Sequence, residues 1–491
     1  MSIRQKTLGG LLCVCLLVSE IAIAVSVDDG PSSGEIVSPV VVSEKFTGDL
    51  EAIRERGVLR ALVSYSRTDF FLQGARPRGI MPELLREFEQ QLNKGRKRNE
   101  QHVKIHYAIV PFSRLIPALL EGEGDAAVAF LTVTPEREKL VNFATGSKGW
   151  VKELLVTHRE VDGIATLEDL AGRTVHVLNG SSYAQHLRQF NETLRAAGKQ
   201  PVTVQEADAN LATEDLLELT NAGVIEMTVA DHYRAEIWAK VLPDIVVRDD
   251  IRINEKGQLG WAIRKNNPQL LAVANAFSAK VRKGTLIGNT LMKRYFGNTK
   301  WIKNPLAESE REKLVKVVGL FRKYGEQYGF DWLAVAAQAY QESGLDHSAK
   351  SSAGAVGIMQ LLPSTAKDPN VGISDIHELE NNIHAGAKYV AFLRNRYFND
   401  PAIEAADQLA FTWAAYNAGP ANVTRMRKKT EALGLDPNKW FGNVELAALD
   451  MVGQEPVRYV SNIYKYYITY KLLHRLRDAR KTTLNASGKA N

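Results

Sequence analysis

The chain has 491 residues, 45% of them hydrophobic and 24% charged, which is enough for two or three domains with cores of their own. Its formal net charge is a mild +6, and no Lys/Arg run with interleaved aromatic residues indicates a nucleic-acid partner. The two cysteines, Cys13 and Cys15, both lie near the N-terminus. Downstream of them the sequence excludes disulfides, thiolate nucleophiles and cysteine-ligated metals. It has no His-Glu-x-x-His pattern, and His377 and His384 alone would be a poor metal site, so we expect neither a metal nor a cofactor.

Residues 1–26 have the layout of a secretory signal peptide. Arg4 and Lys6 precede an apolar run over residues 8–18, and residues 22–24 read Ala-Ile-Ala, a small-x-small cleavage site. The apolar run is short for a membrane span. We therefore predict a signal peptide over residues 1–26, with a retained anchor as the open alternative.

The next part of the chain alternates between strand and helix signals. Residues 27–49 are rich in Ser, Pro, Gly and acidic side chains and are predicted to form a flexible linker, after which order begins. Strands are predicted over residues 58–63, 103–110, 125–130 and 174–178, and helices over residues 81–92 and 112–120 and after residues 179–182. Over residues 50–297 this alternation predicts an α/β architecture with mostly parallel sheets.

The composition changes near residue 300, after which the pattern is nearly all helical. We predict a linker over residues 298–310 and a mainly α-helical domain over residues 311–476. Its helices are predicted over residues 311–328, 331–341, 363–367, 379–398, 404–417 and 456–475. The polar tail, residues 477–491, is predicted to be disordered.

One carboxylate in the helical domain stands at a position that suits acid catalysis. Asp331 is a plausible N-cap and Gly344 a natural C-cap, so Glu342 falls at the C-terminal end of the helix between them. The negative end of the helix dipole and partial burial would both raise the pKa of Glu342, as a general acid for glycoside cleavage requires. An ordinary solvent-facing glutamate also fits this segment by itself.

The segments around this helix carry a family resemblance. Four motifs follow one another: Gln-Glu-Ser-Gly-Leu at 341–345, Ser-Ser-Ala-Gly-Ala-Val-Gly-Ile-Met-Gln-Leu-Leu-Pro at 351–363, Ala-Tyr-Asn-Ala-Gly-Pro at 415–420 and Glu-Pro-Val-Arg-Tyr-Val at 455–460. In this order they resemble the soluble lytic transglycosylase (SLT) domain, a relative of goose-type lysozyme, over residues 310–475. The resemblance implies a mainly α, lysozyme-like fold that cleaves peptidoglycan glycan strands.

The resemblance also implies roles for individual residues. Glu342 matches the sole catalytic acid/base of the family. Substrate-binding roles are implied for Ser343, Gly357, Met359, Gln360, Tyr416, Asn417, Glu455 and Tyr459. Structural readings stay open beside these roles, because Met359 can fill a core, the two tyrosines can be buried with bonded hydroxyls, and Asn417 can cap its own helix.

The number of catalytic carboxylates decides the expected mechanism. Most glycosidases use two, and substrate-assisted enzymes are among the exceptions. With Glu342 alone, the N-acetylmuramic acid residue must supply the second group through its acetamido oxygen and its C6 hydroxyl, which leaves a 1,6-anhydromuramic end. A hydrolytic muramidase with a second carboxylate is the nearest alternative. A non-catalytic envelope sensor that binds muropeptides is another.

The N-terminal region resembles a second family. Its motifs are Gly-Asp-Ala-Ala-Val at 124–128, Thr-Val-Thr-Pro-Glu-Arg at 132–137, Leu-Glu-Asp-Leu-Ala-Gly-Arg at 167–173 and Ala-Ile-Arg-Lys-Asn-Asn-Pro at 262–268. They resemble the family 3 solute-binding proteins, a bilobal α/β fold of the periplasm, over residues 50–297. The resemblance implies that a small ligand binds between the two lobes.

Three residues match the ligand-binding positions of that family. Arg137 matches the arginine that pairs with a ligand carboxylate, Ser182 opens a helix whose N-terminus can bind the same anion, and Asp231 matches an acidic group for the ligand amine. Phe130 and Leu131 depart from the small residues that usually stand there. The ligand is therefore either an amino acid or a muropeptide.

The fusion of these two domains resembles the membrane-bound lytic murein transglycosylase F family. That resemblance implies a cell-envelope enzyme of a Gram-negative bacterium, located in the periplasm and peripheral at the outer membrane. Its partners are expected to be peptidoglycan strands, a small ligand in the N-terminal domain and a membrane surface, but no nucleic acid. The N-terminal domain is expected to regulate the catalytic domain.

Overall fold

The computed structural model describes residues 45–73, 76–97, 100–146, 151–282, 284–297, 308–453 and 455–487. The predicted signal peptide and most of the linker over residues 27–49 lie outside this part of the chain, as do residues 298–307 and 488–491. No helix in the described ranges combines the length and the apolar character that crossing a bilayer requires.

The first lobe of the N-terminal domain is made from two separate stretches of chain. The first stretch contains α1 (Leu50–Arg56), β1 (Val58–Val63), β2 (Phe71–Gln73), β3 (Arg76–Arg78), α2 (Ile80–Leu92), β4 (Lys104–Ile109), α3 (Leu115–Leu120), β5 (Ala126–Thr132), α4 (Pro135–Glu138) and β6 (Val141–Ala144). The second lobe contains β7 (Val151–His158), β8 (Thr174–Val177), α5 (Ser182–Ala196), β9 (Thr203–Glu206), α6 (Thr213–Asn221), β10 (Met227–Asp231), α7 (His232–Ala239) and β11 (Ile245–Gly257). The chain then returns to the first lobe with β12 (Leu259–Arg264), α8 (Pro268–Val281) and α9 (Leu286–Phe296).

Each lobe is built on a mixed sheet, so the prediction of mostly parallel sheets is wrong. In the described residues the first lobe has the strand order β4-β1-β5-β12-β6 and the second lobe the order β11-β7-β10-β8-β9. β1 is parallel to β4 and β5, and β8 is parallel to β9 and β10. β12 and β7 run antiparallel to both of their neighbours. These two strands enter their sheet from the other lobe, which reverses their direction.

The C-terminal domain is helical. Its helices are α10 (Glu308–Tyr328), α11 (Trp332–Ser343), α12 (Pro363–Lys367), α13 (Leu379–Leu393), α14 (Ala405–Ala418), α15 (Pro420–Ala432), α16 (Glu445–Met451) and α17 (Glu455–Ser487). Two π-helical turns, Arg394–Phe398 and Trp440–Val444, follow α13 and precede α16. α11 packs against α10 and α17 around a core that contains Trp413, Phe411 and Trp440.

The ends of two helices differ from the sequence prediction. α10 begins at Glu308, inside the linker predicted over residues 298–310. α17 continues to Ser487, through most of the tail over residues 477–491 that was predicted to be disordered. No glycine or proline stands between Val457 and Ser487, so the backbone meets no helix breaker until Gly488.

Candidate active site

α11 carries a glutamate in its last turn. The side chain of Asp331 accepts a hydrogen bond from the backbone of Leu333 and so starts the helix. Gly344 ends it in the left-handed region, at φ 63°. Buried residues such as Ala336 fix the inner face of the helix. Glu342 is thereby held in its last turn, where intrahelical bonds no longer satisfy the carbonyl groups.

The Glu342 carboxyl group accepts a hydrogen bond from a tyrosine on α17. The hydroxyl of Tyr459 donates to Oε1 of Glu342 at 2.5 Å. Tyr459 is buried and lies on the first turns of α17, which packs along α11. Residues 117 positions apart in the sequence therefore meet at one oxygen atom.

The site keeps Glu342 protonated at neutral pH. Loss of solvation by burial raises the pKa of Glu342 to about 8, and the negative charge of Glu455 adds to this rise. The hydrogen bond from Tyr459 acts in the opposite direction, because it stabilises the carboxylate form. A carboxyl group that is neutral at pH 7 can donate a proton to a leaving oxygen.

The loop before α12 lies beside Glu342 and is held by its backbone. The hydroxyl of Tyr416 donates to the carbonyl oxygen of Met359 at 2.7 Å, and the backbone N–H of Met359 donates to the side chain of Asn382 at 2.9 Å. The Met359 side chain is fully buried and packs on Gly386. This burial agrees with the core role that was left open for Met359, and substrate contact by this residue stays a prediction.

Three other predicted substrate residues brace the same loop. The hydroxyl of Ser343 donates to the carbonyl oxygen of Ile358 at 2.8 Å, which joins the end of α11 to the loop. The side chain of Gln360 donates to the carbonyl oxygens of Ala349 and Gly357 at 3.0 and 2.8 Å. Gly357 has φ 80°, and a Cβ there would collide with Asn382. These contacts position the loop, and substrate binding by the same residues stays a prediction.

Two other predicted residues have side chains that are at least partly exposed. Asn417 is partly exposed at the end of α14, and its side chain has no hydrogen bond within the described part of the chain. Glu455 is exposed at the start of α17, near enough for its charge to act on Glu342. The structure thus brings Glu342, Tyr459, Tyr416 and Glu455 into one electrostatic neighbourhood.

The predicted ligand residues of the N-terminal domain also lie close to one another. The Arg137 guanidinium is buried and donates to the carbonyl oxygens of Thr132 and Gly180 at 2.7 and 2.9 Å. Burial lowers its pKa to about 10, while the charges of Glu153 and Asp231 act to raise it. Gly180 belongs to the second lobe, so Arg137 joins the two lobes through a backbone oxygen.

Glu153 and Asp231, the two acidic residues beside Arg137, differ in their hydrogen bonds. Glu153 accepts hydrogen bonds from Ser182 at 2.7 Å and from His186 at 2.6 Å, so Ser182 is tied to a carboxylate. Asp231 accepts one from Tyr233 at 2.9 Å, and its other oxygen, Oδ1, is buried with no hydrogen-bond partner in the described residues. Burial raises the pKa of Asp231 to about 7.

Two parts of the chain match known protein families. Residues 319–438 match the transglycosylase SLT domain, and residues 62–298 match the bacterial extracellular solute-binding proteins, family 3. A membrane-bound lytic murein transglycosylase F from Desulfosudis oleivorans is 30% identical over 433 residues, which are 84% of this chain and 90% of that protein. The chain belongs to the membrane-bound lytic murein transglycosylase F family.

Another relative and a solved structure are also similar to parts of this chain. A membrane-bound lytic murein transglycosylase F from Pseudomonas fluorescens is 28% identical over 85% of this chain and 85% of its own length. Among solved structures, a mutant of ArgBP from T. maritima covers 51% of this chain and 99% of its own, with 23% identity and a TM-score of 0.42. The two profile matches confirm the predicted order, an α/β solute-binding domain followed by a helical SLT domain. The protein is therefore a lytic transglycosylase with an N-terminal solute-binding domain.

Sequence analysis missed two residues that support the transglycosylase site. Asn382 on α13 is buried, and besides the bond from Met359 its amide donates to the carbonyl oxygens of Val356 and Ile376 at 3.0 and 2.9 Å. Gln338 stands one turn before Glu342, fully buried beside Tyr459, and within the described residues neither polar atom of its side chain has a well-aligned hydrogen bond. The signal available in the sequence was Gln338 itself, a polar residue within an apolar run and four positions before Glu342, on the same face of the helix.

Replacing Tyr459 by Phe tests the role of the hydrogen bond between Tyr459 and Glu342 in the transglycosylase. Loss of the bond to Glu342 is expected to lower turnover by about 10- to 100-fold. It should also move the fall of activity at alkaline pH to higher pH, because this bond lowers the pKa of Glu342. The pH–rate profile measures both effects. Tyr324→Phe removes a similar bond, to Glu380, and is the control. An unchanged profile in Tyr459→Phe would contradict the assignment.

Proposed function

We propose that the chain cleaves the MurNAc-β-1,4-GlcNAc bond of peptidoglycan without adding water and leaves a 1,6-anhydromuramic end. The observation that carries the proposal is the Glu342 carboxyl group, whose pKa is raised to about 8 and which accepts a hydrogen bond from Tyr459. Such a group starts the reaction as an acid and, having lost its proton, can act as the base of the next step.

The proposed reaction has two proton transfers at one carboxyl group. Glu342 first donates its proton to the glycosidic oxygen as the bond to C1 of MurNAc breaks, so the GlcNAc part leaves with a hydroxyl group. The 2-acetamido oxygen of MurNAc stabilises the positive charge at C1. The Glu342 carboxylate then takes the proton of the C6 hydroxyl, and that oxygen bonds to C1. The product contains the 1,6-anhydro ring, and Glu342 has regained its proton.

The neighbouring polar groups have supporting roles in this proposal. Tyr459 would keep one oxygen of Glu342 in place through both transfers, because its hydroxyl already donates to that oxygen. Asn417, which has polar atoms free, would hold the acetamido group. Glu455 would favour the protonated form of Glu342 by charge repulsion.

Mass spectrometry of the muropeptides released from purified sacculi tests the reaction. We expect anhydro-muropeptides, and their yield should decline as the pH rises past about 8, the pKa at which Glu342 loses its proton. Products that carry only reducing muramic ends would overturn the proposal in favour of a hydrolytic muramidase. In that case Glu455 would be the first residue to examine as a second catalytic carboxylate, and Glu455→Gln would abolish activity.

We further propose that the N-terminal domain binds a small zwitterionic ligand, an amino acid or the peptide of a muropeptide. Among the described residues the Arg137 guanidinium donates hydrogen bonds only to neutral carbonyl oxygens, so a ligand carboxylate would supply its counter-charge. Asp231 has a buried oxygen with no partner in the described residues, and a ligand ammonium group would supply that partner. A cavity of about 170 Å³ borders Arg137, with Leu131 and Gln185 among its walls. Its size favours a compact ligand.

Contacts between the domains support the proposal that ligand binding regulates catalysis. On α17, Tyr464 donates to Asp208 at 2.9 Å, and the Lys465 ammonium lies 3.9 Å from carboxylate oxygens of Asp215 and Glu218 in the second lobe. The same helix carries Tyr459. A movement of the second lobe would therefore act on the helix that holds the catalytic carboxyl group.

We place the protein in the periplasm, peripheral at the outer membrane of a Gram-negative cell. The predicted signal peptide supports export, and the relatives are named membrane-bound. Separation of the inner and outer membranes, followed by a salt wash, tests the placement. Recovery with the inner membrane, or only after detergent extraction, would contradict it.

A further inference from the structure

A row of aromatic rings leads out of the active site. Tyr416, which is bonded to Met359, has its ring centre 5.3 Å from that of Tyr389. Tyr389 is stacked near Phe392 at 6.4 Å, and Phe392 meets Tyr397 edge-on at 6.1 Å. Tyr397 is 40% exposed. We call Tyr416, Tyr389, Phe392 and Tyr397 the aromatic row, which begins at the active-site loop and ends at the surface.

An open cavity of about 420 Å³ adjoins the row at Phe392. Its walls also include Tyr328, Asn370, Lys388 and Arg396. Arg396 is exposed on the π-helical turn that follows α13. Two cations and two amides, those of Asn370 and Asn395, therefore line a cavity that also has aromatic rings in its walls. The cavity lies on the part of the domain where the row reaches the surface.

We propose that the aromatic row and this cavity form a distal subsite for the glycan strand, several saccharides away from the bond that is cleaved. The inference rests on the proposed function, because it assigns the same peptidoglycan strand to a second stretch of surface. The inference rests on continuity: Tyr416, whose hydroxyl donates to the Met359 carbonyl oxygen, is joined to the cavity wall through the rings of Tyr389 and Phe392.

The chemistry of the strand matches this surface. Pyranose rings present C–H groups on their faces, which pack on aromatic rings, while the hydroxyl and acetamido groups at their edges need hydrogen-bond partners. The row supplies the aromatic rings, and Asn370 supplies an amide. The lactyl groups and stem peptides of MurNAc carry carboxylates, which Lys388 and Arg396 would attract. A neutral glycan would lack this last contribution.

The affinity of the protein for strands of different length tests the subsite. Glu342→Gln is used as the parent so that the strands are not consumed, and GlcNAc-MurNAc tetrasaccharide is compared with long strands by titration calorimetry. We expect Tyr397→Ala and Arg396→Gln each to weaken the binding of long strands by about fivefold and to leave the tetrasaccharide unchanged. Lys316→Gln, which removes an exposed cation from α10, is the control.

The outcomes separate this inference from the proposed function. If the parent binds long strands more tightly than the tetrasaccharide and neither variant changes that, the distal subsite is wrong and the active site is unaffected. Equal weakening for both lengths would place these residues at the cleaved bond and also overturn the inference. Failure of the proposed function has a different signature, which is the absence of anhydro-muropeptides from a wild-type digest.

Discussion

Glu342→Gln is expected to reduce the release of muropeptides from sacculi by roughly a thousandfold or more, because one side chain supplies both the acid and the base. The amide keeps the size of the carboxyl group and can still accept the hydrogen bond from Tyr459. It has no proton to give to the leaving oxygen at pH 7. The loss should therefore appear in turnover, while the binding of strands is retained.

The control for this variant is a glutamate that takes no part in the site. Glu431 is exposed on α15, and Glu431→Gln should leave the digest unchanged. Substantial activity in Glu342→Gln, with the control normal, would mean that another group delivers the proton. The sequence motif would then have been assigned to the wrong carboxylate.

The same substitution should make the protein more stable, which excludes misfolding as the cause of lost activity. The pKa of Glu342 is raised from 4.5 to about 8, so the folded state binds this proton more tightly than the unfolded state does. The wild type therefore loses stability as the pH rises from 4.5 to 8, whereas the glutamine variant does not. At pH 8 the variant should gain roughly 1–3 kcal/mol, seen as a higher melting temperature of the catalytic domain.

Motif order identified the catalytic domain, and local patterns gave most of its helices. The helix over residues 363–367 was predicted with the bounds that α12 has. Asp331 and Gly344 were predicted as the caps of the helix that carries Glu342, and they are the caps of α11. Patterns of this kind are local, since capping and helical spacing depend on residues within a few positions. The contact between Tyr459 and Glu342 needed the family resemblance, because nothing near either residue encodes a partner 117 positions away.

Some features depend on the tertiary structure alone. Met359 was predicted either to contact the substrate or to fill the core; its side chain is buried, its carbonyl oxygen accepts a hydrogen bond from Tyr416, and a substrate contact stays a prediction. Sequence patterns describe side chains, and they do not show which residue contributes a backbone carbonyl or amide group to the hydrogen bonds of a site. The mixed sheets were missed for a related reason, since strand direction depends on which lobe the chain has just left.

Arg234→Met is expected to destabilise the N-terminal domain by about 3–5 kcal/mol, because it leaves two buried acidic groups without their cation. Arg234 on α7 donates to Asp69 of the first lobe at 2.8 Å and to Glu214 of the second lobe at 2.5 Å. Ser66 and Thr68 of the first lobe donate to the same Glu214 oxygen at 2.7 Å. The cluster joins the lobes, so its loss should favour an open cleft.

Urea unfolding followed by tryptophan fluorescence, with proteolysis to identify the domain, measures the loss. Arg188→Met is the control, because Arg188 forms an exposed ion pair with Glu206 that is worth at most about 1 kcal/mol. Replacing Asp69 and Glu214 by Asn and Gln in the Arg234→Met variant should recover much of the stability, since no buried charge then remains. Equal effects of Arg234→Met and Arg188→Met would show that the cluster does not hold the lobes together.

The same variant tests whether the N-terminal domain regulates the enzyme. α17 touches the second lobe through Lys465, which faces the carboxylates of Asp215 and Glu218. Arg67 of the first lobe pairs with the same two carboxylates. Opening of the cleft would move Arg67 away from Asp215 and Glu218 and so change the electrostatic field around Lys465. The turnover of the enzyme should then change, when measured under conditions in which both domains stay folded. Unchanged turnover, with the cleft shown to be open by small-angle scattering, would exclude regulation through this contact.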